Sequence, residues 1–204
     1  VSLAEHEPSI GKSDEWYTPP YYFEALGLTF DLDPCSPGAH HWVPARRVYT
    51  RADDGLSLPW HGMVFVNPPF GGRAGHVPWL RKFFEHGNGI ALVRAYTSAD
   101  WFHDYVAPRA ETLLFPRGKT KFVRGEAMTS VDRKGNVTRH LAGTIGTSPG
   151  HGVVLIGMGA RANAALRRCG IGLFIRNDYR DCYLGLPLAP AAAIEAENIL
   201  VGEG

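Results

Sequence analysis

Met63-Val64-Phe65-Val66-Asn67-Pro68-Pro69-Phe70-Gly71-Gly72 is the stretch from which the fold can be read. Four apolar residues in succession, without polar alternation, predict a short strand buried on both faces. Asn67-Pro68-Pro69 ends that strand abruptly, because neither proline has an N–H to pair and each fixes φ near −65°.

Similar punctuation recurs on either side. Pro20 opens a helix over Tyr21 to Leu26 that stops at Gly27, and Leu28 to Asp33 reads as a strand ended by Pro34. Downstream, Val77 to Glu85 has helical periodicity and Gly89 to Val93 is a second buried strand. A helix is expected near Ser98 to Val106 and a strand at Thr112 to Phe115. Strands at Val153 to Ile156 and Gly172 to Ile175 flank a helix from Ala160 to Arg168 that closes at Gly170. Strands alternating with helices predict an α/β three-layer sheet, mostly parallel. Residues 117–147 break the rhythm and read as an inserted loop or hairpin with a turn at Gly135-Asn136. Ligands in such sheets sit beyond the carboxyl ends of strands, which singles out Asp33-Pro34-Cys35-Ser36 and Asn67-Pro68-Pro69-Phe70.

The 204 residues are expected to form a single domain, 1–204, and a chain of that length needs no disulfide or metal staple. Hydrophobic residues at 45% and charged residues at 20% exclude wholesale disorder. The three cysteines, Cys35, Cys169 and Cys182, lack CxxC spacing, so a disulfide scaffold and a four-cysteine zinc site are excluded. No apolar run approaches the ~18 residues of a membrane span, and the first residues carry no signal-peptide pattern. A reducing cytoplasm is the expected location. His40-His41 has no partner at ligand spacing, and no metal is expected.

A formal charge of +1 argues at first sight against a polyanionic partner, but it is an average. Residues 1–60 carry four basic and nine acidic side chains, whereas residues 109–139 carry eight basic and three acidic ones. Arg117, Lys119, Lys121, Arg124, Arg133, Lys134 and Arg139 make the latter stretch a candidate phosphate-facing surface, against the plainer reading of a solvated hairpin. Phe122, interleaved among these cations, suits either core packing or contact with a base.

Asn67-Pro68-Pro69-Phe70 also has chemical meaning. A rigid turn offers backbone carbonyls that point outward, Asn67 adds a side-chain acceptor, and Phe70 adds a flat apolar face. Two acceptors beside an aromatic plate suit a planar ring with an exocyclic amine. Accepting two N–H bonds favours the pyramidal amine and localises its lone pair, so positioning does most of the catalysis. The duller alternative is a proline-terminated strand followed by a core phenylalanine.

The motif resembles the NPPY/F motif of amino-methyltransferases that act on adenine N6 with S-adenosylmethionine as donor. Glu15-Trp16-Tyr17-Thr18-Pro19, Phe30-Asp31-Leu32-Asp33-Pro34-Cys35-Ser36, Asp53-Asp54-Gly55-Leu56 and Val66-Asn67-Pro68-Pro69-Phe70-Gly71, in that order, resemble the small phage-type DNA N-6-adenine methyltransferases of the Dam family. The resemblance covers residues 15 to about 125 and implies a Rossmann-like fold, a flipped adenine in DNA, and no metal. It implies that Trp16, Tyr17, Thr18 and Pro19 line the donor pocket and that Asp33, Pro34, Cys35 and Ser36 bind the donor after the first strand. Asp54 or Asp53 would meet the donor's ribose or adenine edge, and Asn67 and the Pro68 carbonyl would hold the target amine under Phe70. The basic 117–147 region would then contact DNA and read its sequence.

The first motif departs from the glycine-rich form common among methyltransferases, since Asp33-Pro34-Cys35-Ser36-Pro37-Gly38 offers one glycine. Alternatives at this stage are methyl transfer to cytosine N4, to RNA or to protein, and a catalytically silent nucleic-acid-binding module on the same fold. Gly157-Met158-Gly159-Ala160-Arg161-Ala162 fits a dinucleotide-binding pattern. Only 26 residues follow Asp178, too few for the rest of such a half-domain, so a plain strand-to-helix turn is expected.

Overall fold

The computed structural model describes residues 16–38, 42–69, 75–125, 127–131, 136–146 and 151–178. The described chain opens on a two-residue strand, β1 (Trp16–Tyr17), and helix α1 (Pro20–Leu26), which Gly27 closes in the left-handed conformation at φ 60°. Strands β2 (Phe30–Asp33), β3 (Ala45–Val48) and β4 (Val64–Val66) follow. Helix α2 (Val77–His86), β5 (Gly89–Arg94), a single π-helical turn (Phe102–Val106) and β6 (Thr112–Pro116) come next. The basic region holds β7 (Val123–Arg124), β8 (Met128–Val131) and β9 (Val137–His140). Beyond it lie β10 (Val153–Met158), α3 (Ala160–Arg168) and β11 (Gly172–Arg176).

Seven strands form one mixed sheet in the order β11-β6-β10-β5-β4-β2-β3. The α/β class is as expected, but the sheet is less parallel than the strand–helix alternation implied. β3, β2, β4 and β5 are mutually parallel. β10 is antiparallel to β5 and β6, and β11 is antiparallel to β6. The reason lies in the 117–147 region, which leaves β6 and re-enters β10 at one end of the sheet. Antiparallel neighbours joined in that way need no crossover helix.

The edge strand β3 escapes a pattern-based reading because Ala45-Arg46-Arg47-Val48 has no apolar alternation. The helix expected near Ser98 to Val106 is instead mostly the π-helical turn.

Burial explains why the centre holds. All of β4 is buried, as are Gly89 to Val93 of β5 and Val153 to Gly157 of β10. Helix α3 packs on β5, β6 and β10 and touches α1, while α2 packs on β5 and the π-helical turn. Phe23, Phe30 and Phe65 form a cluster with ring centroids 4.9, 5.3 and 6.5 Å apart. Each such pair adds about 0.5–1.5 kcal/mol beyond simple burial. The cluster fastens α1 to the two strands that end at the site.

The chain order marks where a candidate site would lie. From β2 the chain moves to β3 on one side and then to β4 and β5 on the other. Such a reversal opens a crevice beyond the carboxyl ends of the flanking strands. Leu32 pairs with Val64, so the strand ends flanking this reversal are Asp33-Pro34-Cys35-Ser36 and Asn67-Pro68-Pro69.

Candidate active site

The two strand ends meet directly. The Asn67 backbone N–H points at the Cys35 sulfur. Burial, and then the neighbouring Asp33 carboxyl, push the Cys35 thiol well up, so it is no thiolate nucleophile. The Cys35 N–H donates to Asp33 Oδ1 at 3.1 Å. Asp33 is 3% exposed, and burial raises its carboxyl to about 7 although that N–H bond opposes the shift. Among the described residues, no cation forms an ion pair with Asp33. Pro34 and Ser36 are buried beside it, and the Ser36 hydroxyl accepts the Gly38 N–H.

Asn67 is oriented by the lead strand. Its Nδ2 donates to the Trp16 carbonyl at 3.0 Å. Only the amide nitrogen can serve a carbonyl acceptor, so Oδ1 is left as the acceptor on the other side of the group. Pro68 is buried and Pro69 exposed, while Phe70 lies outside the described residues. The remainder of the lead segment is also built in. Pro19 is buried, and Tyr17 meets Trp42 edge to face at 5.4 Å. The Trp42 indole N–H donates to the Thr18 carbonyl at 2.7 Å, yet among the described residues the buried Thr18 hydroxyl has no hydrogen-bond partner.

The loop carrying Asp53 and Asp54 is pressed against the end of β2. A Cβ added to Gly55 would lie 1.9 Å from the Pro34 carbonyl oxygen, so any side chain there forces the loop and the β2 end apart. Gly55→Ala is therefore expected to lower the unfolding free energy by about 1–3 kcal/mol, as overpacking does; unchanged denaturant unfolding would contradict this packing. Lys82 of α2 holds the same loop, donating to the Gly55, Leu56 and Leu58 carbonyls while its ammonium lies 5.2 Å over the Trp60 ring. Asp53 is spent locally, accepting the Thr50 N–H and hydroxyl at 2.8 and 2.7 Å. Asp54, at φ 54°, accepts among the described residues only the Leu56 N–H, at 3.3 Å, through its exposed carboxylate.

The basic segment alternates anchors with cations. Arg117, Lys119 and Lys121 are exposed, whereas Thr120 and Phe122 are buried. Thr120 bonds the Tyr22 hydroxyl at 2.5 Å, and Phe122 joins the core. Arg139 is exposed on β9, which pairs with β8 from Met128↔His140 to Val131↔Val137. Arg124 is placed differently: it is 6% exposed, with its guanidinium 5.0 Å over the Trp16 ring. Arg133, Lys134 and Gly135 lie outside the described residues.

Residues 8–142 match the family model of DNA N-6-adenine-methyltransferase (Dam). The chain belongs to the Dam family. Membership implies methyl transfer to adenine N6 in DNA in broad terms. The matched span includes both strand ends, the Asp53-Asp54 loop and the basic segment. No curated protein and no solved structure matches the chain. Among the described residues, no group of three His, Cys, Asp or Glu is placed to hold a metal, and no helix is long and apolar enough to cross a membrane.

The glycine turn of this Dam-family chain lies elsewhere. Met158 pairs with Gly89 at the start of β5, so Gly157-Met158-Gly159 is at the opposite end of the sheet from Asn67. There the Gly159 N–H and the Asn163 amide both donate to Glu111 Oε2. The chain's own carboxylate thus occupies the position a cofactor phosphate would take, as befits a plain turn.

Sequence reasoning missed the cations at the end of β5. Arg94 is the last residue of that strand, with its guanidinium 5.8 Å from the Tyr96 ring centroid, and Tyr96 lies 5.6 Å from the His151 ring. His76, at the start of α2, is 1% exposed and edge-on to Trp101 at 4.4 Å. Burial, and then Arg94, lower His76 to about 4. Burial also lowers His151, helped by Arg94 and Lys119. Positive potential therefore runs from the basic segment to the strand next to β4. No motif marks it, because the contributors are dispersed in sequence and converge only through the sheet order.

Proposed function

We propose that this Dam-family chain transfers a methyl group from S-adenosylmethionine to N6 of an adenine flipped out of duplex DNA. The observation that carries this reading is the orientation of Asn67, whose amide donates to Trp16 and leaves Oδ1 as an acceptor at the lip of the crevice. With the Pro68 carbonyl it accepts the two N–H bonds of an exocyclic amine, which localises the nitrogen lone pair toward the donor. Phe70 stacks on the base, and extrusion is required because N6 is out of reach inside the duplex.

Residues at the end of β2 fit a cationic donor. A buried carboxyl held near 7 with no ion-pair partner gains from a positive charge beside it, and the unpartnered Thr18 hydroxyl is available to a ligand. When bound, S-adenosylmethionine supplies an electrophilic methyl group on a sulfonium. Trp16, Tyr17, Thr18 and Pro19 wall that side, with Pro34, Cys35 and Ser36 opposite. Asp54 rather than Asp53 is the acid for the ribose hydroxyls, since Asp53 is occupied by Thr50. The reversal of strand order at β2 supports a Rossmann-like donor-binding sheet.

Charge separates the two ligands: Asp33 faces the donor, and Lys119, Arg94 and the exposed cations of 117–139 face the phosphates. The test is incubation of duplex DNA with labelled donor and digestion to nucleosides. Label is expected in N6-methyl-2′-deoxyadenosine, and label in N4-methyl-2′-deoxycytidine, or in no nucleoside, would overturn the assignment. In the same assay buffer, Lys119→Ala with Lys121→Ala is expected to weaken DNA binding on all sequences. The salt dependence should flatten by about 0.9 for each phosphate that the protein no longer neutralises; an unaltered slope returns both lysines to the solvated surface.

A further inference from the structure

We infer that Arg124 is a positioning residue: through the Trp16 ring and backbone it holds the Asn67 amide in its acceptor-outward orientation, and it is not a phosphate contact. The inference rests on the proposed role of Asn67 and concerns what keeps that group in register.

Few links separate the two residues. Among the described strands β1 pairs with β7 alone, Trp16 opposite Arg124 and Tyr17 opposite Val123. A ladder of two residues has little stability of its own. What secures it is the enclosure of the two aromatic rings. The Arg124 guanidinium sits 5.0 Å over the Trp16 ring, and a Cβ on Gly146 would come within 2.5 Å of that ring. A Cβ on Gly125 would likewise come within 2.8 Å of the Tyr17 ring. Arg124 N–H donates to Thr144 and Gly143 N–H donates back to Arg124, so the residue is fixed by its own backbone. On the other side of the strand, the Trp16 carbonyl receives the Asn67 Nδ2.

An asparagine amide reverses donor and acceptor by a half-turn, and its two orientations differ little in shape. The Trp16 carbonyl decides between them. If β1 drifts, the NH2 of Asn67 is free to turn toward the substrate amine, where donor would meet donor. The burial of Arg124 points in the same direction, because a side chain 6% exposed has no surface to offer a phosphate.

The test compares Arg124→Met, Arg124→Lys and the Lys119→Ala/Lys121→Ala pair in the full chain. Arg124→Met is expected to lower kcat about tenfold, the worth of a desolvated cation–π contact, with DNA Kd and its salt slope unchanged. Arg124→Lys keeps a charge over the ring and recovers most of kcat, whereas the lysine pair raises Kd and flattens the slope. A second readout needs no turnover: the Asn67 side-chain amide pair, assigned by its loss in Asn67→Ala, should lose protection from solvent exchange in Arg124→Met and retain it in Arg124→Lys. If Arg124→Met does not fold, the Lys variant and an Arg124→Gln variant carry the comparison. Unchanged kcat with an unchanged Asn67 amide signal would overturn the inference, as would a weaker Kd and flatter slope like those of the lysine pair. Failure of the proposed activity looks different, since the wild type then labels no adenine while the amide signal still reports on Arg124.

Discussion

Asn67→Ala is expected to reduce methyl transfer by about 10²–10³-fold, the usual consequence of losing one preorganised hydrogen-bonding group aimed at a reacting centre. The donor's affinity should stay within a factor of two or so, because Asn67 contributes to the amine side of the crevice and a single lost hydrogen bond elsewhere is modest. The substitution also releases the carbonyl of Trp16, a half-buried residue, and a water can take the place of the lost donor. Single-turnover kinetics with prebound DNA and a parallel titration of donor would separate the two effects. Loss of donor binding with normal single-turnover chemistry would place Asn67 on the wrong ligand.

Asp33→Asn should weaken donor binding by about 10- to 100-fold, the range for a hydrogen bond to a charged group. It should also change how binding responds to pH. The folded carboxyl titrates at about 7, above the ordinary value of 3.8. Between those values the folded state holds a proton that the unfolded state has lost. Stability of the unliganded chain is therefore lost as pH rises from about 4 through 7, and the full penalty persists above. A cation bound beside Asp33 pulls its titration down again, so donor binding near neutrality releases a proton and tightens as pH rises from about 6 to 8. Calorimetry in two buffers of different ionisation enthalpy would show that release in the wild type and its absence in Asp33→Asn. The variant should also be the more stable of the two at about pH 8 without ligand. Equal proton release in both proteins would remove Asp33 from the donor site.

Much of this arrangement is legible in the sequence because the decisive stops are local. Asn67-Pro68-Pro69 after a buried run and Asp33-Pro34 after another mark two strand ends, and sheet order makes them neighbours. What cannot be read is whatever depends on partners distant in sequence. β1 and β7 are two residues each, too short for any periodicity, yet their pairing carries Trp16 to Asn67. Arg124 reads as one more cation in a basic run, and only the Trp16 ring beneath it reveals the difference. Lys82 looks like an ordinary helical surface residue until the three carbonyls of the 55–58 loop are found around its ammonium. The antiparallel entry of β10 is hidden for the same reason, since a buried apolar run reads alike in both directions.

Under the proposed function the basic region contacts DNA, and the β1–β7 ladder ties that contact to the methyl-transfer site. Arg124 and Gly146 form the seat for Trp16 and, through it, for Asn67, while Gly125 packs against Tyr17. A change of Arg124, Gly125 or Gly146 without matching changes at Trp16 and Tyr17 is expected to alter the chemistry. Under the proposed function, substitution at the exposed cations Lys119, Lys121 and Arg139 is then expected to alter DNA contact alone, whereas substitution of the inner lining at Arg124, Gly125 or Gly146 reaches the chemistry.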